Sequence, residues 1–334
     1  MRKYLVLGYF GYKTNQLDGQ TVKTRDIYRL ATEQYRDSVE YFDTEDFKFS
    51  KVSVVKMFWL VMTCRHLIYL PAHNNLKFIF PIVYCLSWIF RFDIHYFVVG
   101  GWLKEFLENL PMHRSMISKI SHVYVETKQM KSSLEESYHF KNVEQFPNFR
   151  YFDFEPNRVG TDKLRLVFMG RINKMKGLDW IFELLRYIER NGLRDRFAMT
   201  FYGPVHDEDR VYFEGNIAES SIAEYKGVLQ PDEIYSTLND YDVMLLPTHY
   251  YTEGLPGSIV DAYISGIPVI VSEWKHAHEF VDDGKTGFIV PFVDGQQYMI
   301  ARVMQLESDR KLLTELQKNA LQKRNQFAPP QLTI

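Results

Sequence analysis

The sequence predicts an α/β protein built as two doubly wound domains facing a cleft. Three observations lead there. Short apolar runs, each followed by a loop with glycine or proline and then a helix-like segment, recur through both halves of the chain. A stretch rich in Asp, Asn, Pro and Gly, from Asn148 to Thr161, separates the halves and sets boundaries at 1–150 and 151–334. The length, 334 residues, suffices for two cores, and 46% apolar with 25% charged residues is ordinary for globular domains.

In the amino-terminal half, Met1 to Leu7 leads directly into a first strand, Lys3 to Gly8, with no signal-peptide pattern. A loop from Tyr9 to Thr21, carrying Gly11 and Gly19, precedes a helix expected from about Val22. Bare backbone between a strand and a helix can approach a phosphate. The spacing lacks the three-glycine dinucleotide fingerprint, which argues against a nicotinamide-dependent oxidoreductase. Strands are expected at Ser38 to Phe42, His66 to Leu70, Asp93 to Val99 and Ser121 to Glu126, with a helix at Lys51 to Arg65. Between Lys77 and Arg91 lie 13 residues of apolar and aromatic character, Phe78 to Phe90. A bilayer span needs about 20, so this run is either a core helix on the sheet or a segment seated in a membrane interface. Gly100-Gly101-Trp102 closes the Asp93 strand, and paired glycines let backbone approach a substrate.

In the carboxyl-terminal half, Leu164 to Met169 reads as a buried strand. Gly170-Arg171 follows, then Lys176-Gly177, and a helix from Leu178 to Arg190 with Leu178, Ile181, Leu185 and Ile188 on its core face. Two cations at a strand's carboxyl end can neutralise a diphosphate leaving group. Further strands are expected at Ala198 to Tyr202 and Ala223 to Lys226, and a helical tail from Ala301 to Asn325. The pair His276 and His278 has no further ligands at metal-like spacing.

Val243 to Ser272 holds a strand, a ligand loop, a helix and a second strand. Glu253 precedes Gly254-Leu255-Pro256-Gly257, and Ser258 begins the helix. Exposed N–H groups and the helix dipole there favour an anion. Asp261 lies about five residues in, roughly 7–8 Å along the axis. One carboxylate at the loop and another further along suit sugar and ribose hydroxyls on either side of a diphosphate.

This stretch resembles the signature of glycosyltransferase family 4, retaining enzymes of the GT-B fold with two Rossmann-like domains: Glu, seven residues, then Glu. Asp261 stands here in place of the second Glu. The Gly170-Arg171 to Lys176-Gly177 spacing is similar to that family's motif residue for residue, and Gly100-Gly101-Trp102 resembles the members that build capsule or lipopolysaccharide glycans. Many members carry a histidine where Gly100-Gly101 stands; His73 on the neighbouring loop could supply an imidazole. The resemblance implies an acceptor-binding first domain and a second that binds a nucleotide sugar, UDP- or GDP-linked, with no metal and no other cofactor. It implies Arg171, Lys176 and Glu253 as catalytic residues. Gly19, Gly100, Gly101, Gly170, Gly254, Leu255, Pro256, Gly257, Ser258 and Asp261 would contact substrate, with Gly19 opposite the diphosphate and Asp261 on the ribose. The reaction implied is sugar transfer to a hydroxyl of a glycan or lipid-linked glycan in surface polysaccharide synthesis. A non-catalytic nucleotide-sugar-binding subunit is the alternative.

Net charge is −2, but residues 1–150 carry 20 Lys and Arg against 15 Asp and Glu, and the remainder 20 against 27. A basic, aromatic first half suggests peripheral contact with a membrane bearing the acceptor. Dispersed basic residues and a pI near 6.6 argue against nucleic acid. Cys64 and Cys85 are expected as buried reduced thiols, which fits the cytoplasm at the inner membrane face.

Overall fold

The computed structural model describes residues 3–16, 18–158 and 160–334. Met1 and Arg2 of the expected leader-free start, Leu17 of the first glycine loop and Val159 of the linker lie outside the described residues. The chain forms two compact units, one running to Phe149 and including Pro329–Ile334, the other Arg150–Ala328.

The first unit alternates β1 (Tyr4–Gly8), α1 (Gly19–Tyr35), β2 (Val39–Asp43), α2 (Val52–Thr63), β3 (His66–Leu70), α3 (His73–Phe78), α4 (Phe80–Phe90), β4 (Asp93–Phe97), α5 (Leu103–Glu108), α6 (Pro111–Ile117), β5 (His122–Val125), α7 (Lys128–Tyr138) and β6 (Val143–Gln145). Its strands pair in parallel, in the order β2-β1-β3-β4-β5-β6. The second unit begins with β7 (Leu164–Met169), α8 (Leu178–Arg190), β8 (Phe197–Tyr202), α9 (Arg210–Glu219), β9 (Ala223–Tyr225) and α10 (Ile234–Leu238). It continues with β10 (Val243–Leu246), α11 (Gly257–Ile264), β11 (Val269–Ser272), α12 (Ala277–Phe280), β12 (Gly287–Val290), α13 (Gln296–Ser308) and α14 (Arg310–Lys323). This sheet is also parallel, ordered β12-β11-β10-β7-β8-β9. Each unit is thus a doubly wound α/β domain with its own core, and each strand order reverses beside the first strand.

Several elements differ from the sequence expectation for physical reasons. Helix α1 starts at Gly19, three residues before Val22, because Asp18 caps it: Asp18 Oδ1 accepts from Gln20 N and Thr21 N. The apolar run Phe78 to Phe90 breaks at Ile79 into α3 and α4, with Pro81 in the first turn of α4. Phe80 and Val83 are buried in α4, whereas Ile82, Trp88, Ile89 and Phe90 are exposed, so the run has both a core side and a solvent side. The tail splits at Asp309, whose carboxylate caps α14. Strands β6 and β12 are too short to stand out as apolar runs. Cys64 is buried, and burial pushes its thiol up to about 12; Cys85, expected to be buried, is exposed because it lies on the outer side of α4.

The last six residues belong with the first unit, not with the second as 151–334 would have it. Leu332 is buried, its N–H donates to Gln34 Oε1, and its carbonyl accepts from the Tyr35 hydroxyl. Tyr124 also donates to the Thr333 carbonyl. Pairing with α1 and β5 outweighs sequence proximity to α14.

Three neighbouring strands carry His66 and His122 at the starts of β3 and β5 and His95 in the middle of β4. His66 Nδ1 lies 3.3 Å from His95 Nε2, and His95 Nδ1 lies 3.1 Å from His122 Nδ1. Burial first, then the imidazoles of His122 and His66, push the His95 pKa down to about 3, against an opposing pull from Asp93. Below pH 6.5 the unfolded chain binds a proton here that the folded chain refuses, so stability falls with pH toward 3. Between pH 7 and pH 5 the loss from this group is about 2 kcal/mol. Urea midpoints across that range should show a shallower pH dependence for His95→Phe than for the parent.

Candidate active site

The second unit gathers the candidate groups at the carboxyl edge of its sheet. Strands β7 and β10 are neighbours, Val243 opposite Leu166 and Met244 opposite Val167, so the loops that leave them run side by side. The first loop carries Gly170, Arg171 and a short 3-10 turn, Lys174–Lys176. Gly170 N donates to Tyr202 O and Ile172 N to Pro204 O, which fixes the backbone on both sides of exposed Arg171.

The two loops are stitched together around Lys176. His249 N donates to Met175 O at 2.8 Å, and Thr248 Oγ1 to the same carbonyl at 3.3 Å. Gly177 has φ +80°, and a Cβ there would lie 1.9 Å from the Pro247 carbonyl oxygen. Only glycine permits both the left-handed turn and the close approach. Gly177→Ala should therefore lower stability by about 2–5 kcal/mol, the sum of αL strain and overpacking. At Gly19, exposed in the first turn of α1, a Cβ meets nothing within 4 Å. Gly19→Ala should leave stability within about 1 kcal/mol of the parent, and thermal denaturation of the two variants checks the contrast.

So held, Lys176 Nζ reaches Glu253 Oε2 at 2.5 Å and lies 5.2 Å from the centre of the Tyr250 ring. The same Thr248 hydroxyl lies 3.3 Å from Glu253 Oε2, so its one hydrogen is shared between that carboxylate and the Met175 carbonyl. Both charged side chains keep some solvent contact, at 17% and 19% exposure. The structure thus joins two predicted residues, 77 positions apart, in one ion pair.

Gly254, Leu255 and Pro256 are buried and lead into α11. Pro256 is its N-cap, with no side-chain hydrogen bond to the first turn, and Gly257 and Ser258 are its first residues. The guanidinium of Arg150 lies against this end: a Cβ on Gly257 would stand 2.3 Å from Arg150 Nη2. Arg150 Nε donates to Asp261 Oδ1 at 3.0 Å. Asp261, expected to face a ribose, is buried and turned toward Arg150. Its carboxyl is pushed above the usual range by burial, an effect that the Arg150 charge partly offsets. Nothing local in the sequence signals Arg150: its partner is 111 positions away.

In the first unit, Gly100 has φ +85° and its N–H points to Glu126 Oε1 at 3.4 Å, while Gly101 is buried. Glu126 pairs with Lys23 Nζ at 2.6 Å, and Lys23 also donates to Val98 O; both side chains are buried. This pair braces the glycine loop from below, and the sequence reading missed it. His73 packs against Trp102 at a tilt, 4.9 Å between ring centres, so an imidazole does sit beside that loop. The loop after β1 is saturated with carboxylates. Asp43 accepts from Phe10 N and Tyr12 N, and Glu45 from Lys13 N and Thr14 Oγ1. The amides of Phe10, Tyr12 and Lys13 are thus committed within the protein, and Asp18 occupies the amides of Gln20 and Thr21 beside Gly19. Among the described residues no group of three or more His, Cys, Asp and Glu could hold a metal ion.

Comparison with known proteins gives a consistent picture. Residues 150–323 match the model of the family described as glycosyl transferases group 1. The chain is 29% identical over 173 residues to the putative colanic acid biosynthesis glycosyltransferase WcaL of Salmonella typhimurium, covering 49% of this chain and 42% of that protein. It is 25% identical over 152 residues to the amylovoran biosynthesis glycosyltransferase AmsK of Erwinia amylovora, covering 44% and 37%. The chain thus matches about two-fifths of the length of these curated relatives. Among solved structures, Anabaena HepE in complex with UDP and glucose superposes with a TM-score of 0.73 at 16% identity, over 98% of this chain and 96% of that one. WaaG, a glycosyltransferase involved in lipopolysaccharide biosynthesis, superposes with a TM-score of 0.70 at 12% identity, over 96% and 95%. These likenesses place both units in the GT-B architecture.

Proposed function

Because this chain belongs to the glycosyl transferases group 1 family, we propose that it moves a hexosyl group from a nucleotide-diphosphate donor to a hydroxyl of a glycan or lipid-linked glycan, with retained configuration. The observation that carries this reading is the Lys176–Glu253 pair held beside the uncapped start of α11. The bond from the anomeric carbon to the phosphate oxygen breaks as the acceptor oxygen bonds on the same face. The acceptor's proton passes to the departing phosphate oxygen, and in this reading side-chain cations rather than a metal ion offset the diphosphate charge.

The donor's diphosphate draws Lys176 away from Glu253. Lys176, Arg171 and the first amides of α11, reached past Gly170, Gly257 and Ser258, stabilise the negative charge that builds on the leaving group. Glu253, released, accepts hydrogen bonds from donor-sugar hydroxyls. Asp261 acts through Arg150, holding a third cation at the helix start. Gly100 and Gly101 present backbone to the acceptor. Relatives named for colanic acid and amylovoran biosynthesis support a surface polysaccharide as product. A structural neighbour crystallised with UDP and glucose supports a UDP-linked donor.

A thermal-shift screen over UDP, GDP, ADP and their sugars tests the donor. A ligand at 100 times its Kd adds about 2.7 kcal/mol, so one base should raise the melting temperature clearly above the others. No shift with any of them sinks the reading. The commitment of Asp261 to Arg150 favours one rival, a non-catalytic nucleotide-sugar-binding subunit. That protein would bind the same donor yet neither transfer nor hydrolyse it.

A further inference from the structure

Helices α2 and α4 pack side by side, and their inner residues Met57, Leu60, Val61, Phe80 and Val83 enter one core cluster. Their opposite sides therefore look outward together. On a helix exposed to water, that outward stripe normally carries charge. Here it carries Val52, Val55 and Trp59 on α2 and Ile82 and Ile89 on α4, at spacings of three, four and seven residues. Val52, Val55 and Ile89 are 74%, 69% and 69% exposed, and Trp88 is 71%. An apolar surface of this kind marks an interaction site.

Charge identifies the partner. Between Asp46 and Asp93 there is no Asp or Glu, while Lys48, Lys51, Lys56, Arg65, Lys77 and Arg91 are all exposed. Lys51 and Lys56 flank the α2 stripe; Lys77 and Arg91 bracket the α3–α4 run. A self-associating face would bring these cations against their own copies. Nor is either helix long and apolar enough to cross a membrane. Apolar side chains on the outward sides of two helices, tryptophans among them, and exposed Lys and Arg in a segment without acids fit the headgroup layer of a bilayer.

We propose that the outer face of α2 and α4 docks the protein on an anionic phospholipid bilayer. Docking depends on neither the donor base nor turnover, so it stands or falls separately from the proposed reaction. The test is flotation of the full chain with vesicles of phosphatidylcholine alone or with 30% phosphatidylglycerol, at low and physiological salt. The chain should float with the anionic vesicles, at least tenfold more than with the neutral ones at low salt. Trp59→Glu/Ile89→Glu should abolish flotation while circular dichroism and melting temperature stay unchanged. Tyr298→Glu, an exposed site in the second unit, should float like the parent. Equal binding to neutral vesicles, flotation of the double variant, or no flotation at all would overturn the proposal. So would a dimer in sedimentation velocity without lipid that the double variant dissociates, since a second copy would then cover the face.

Discussion

Lys176→Ala should lower turnover by about 30- to 1,000-fold, equivalent to about 2–4 kcal/mol of transition-state stabilisation, the usual cost of losing one preorganised group at a developing oxyanion. The ammonium is positioned by a backbone lock at Gly177 and Pro247 and by two hydrogen bonds to Met175 O, so alanine removes the charge without moving the loop. Its present partner gives the matching test. Glu253→Gln removes the carboxylate that holds the ammonium at 2.5 Å. Nucleoside diphosphate should then bind at least as tightly as before, while transfer falls by a similar factor. Steady-state rates with the donor found by thermal shift, together with calorimetric binding of its diphosphate, separate the two variants. A fall of less than threefold for Lys176→Ala rejects its catalytic role.

The second large effect concerns stability. Arg150→Met should cost about 3–5 kcal/mol at pH 7, because it leaves the buried Asp261 carboxylate without its cation. Burial already raises the pKa of Asp261, and losing Arg150 raises it further. A carboxyl whose folded pKa lies above its unfolded value contributes stability in its protonated form, and that contribution is lost as pH rises through the folded pKa. The deficit of Arg150→Met relative to the parent should therefore shrink from pH 7 toward pH 5. Asp261→Asn added to Arg150→Met should restore much of the loss at pH 7. Urea denaturation at the two pH values reads all of this, and a pH-independent deficit would reject the unpaired-charge explanation.

What the sequence revealed and what it hid divide by distance along the chain. Apolar runs such as Leu166–Phe168 and Val243–Leu246 lie in strands because the part of a strand buried on both faces must be apolar. Arg171 and Lys176 stand out as candidates in the sequence because their glycine-flanked spacing is local. The α8 core face was legible through helical periodicity, and Leu178, Ile181, Leu185 and Ile188 are all buried. Arg150 with Asp261 and Lys23 with Glu126 were not, since each pair joins residues more than 100 positions apart. Nor could periodicity say which side of Phe80–Phe90 faces the sheet when both sides are apolar. The histidine row escaped notice because its members sit singly on three strands and meet only through the parallel register.

The return of Pro329–Ile334 to the first unit makes the second, in topological terms, an insert. The ends of that insert are hydrogen-bonded to each other, Arg150 N to Phe327 O at 2.9 Å. A gene fragment spanning Arg150 to Ala328 therefore has adjacent ends that suit grafting into another host. A stop codon after Phe149, by contrast, yields a first unit without the plug that Leu332 supplies, and that half is better produced with the final hexapeptide spliced back on.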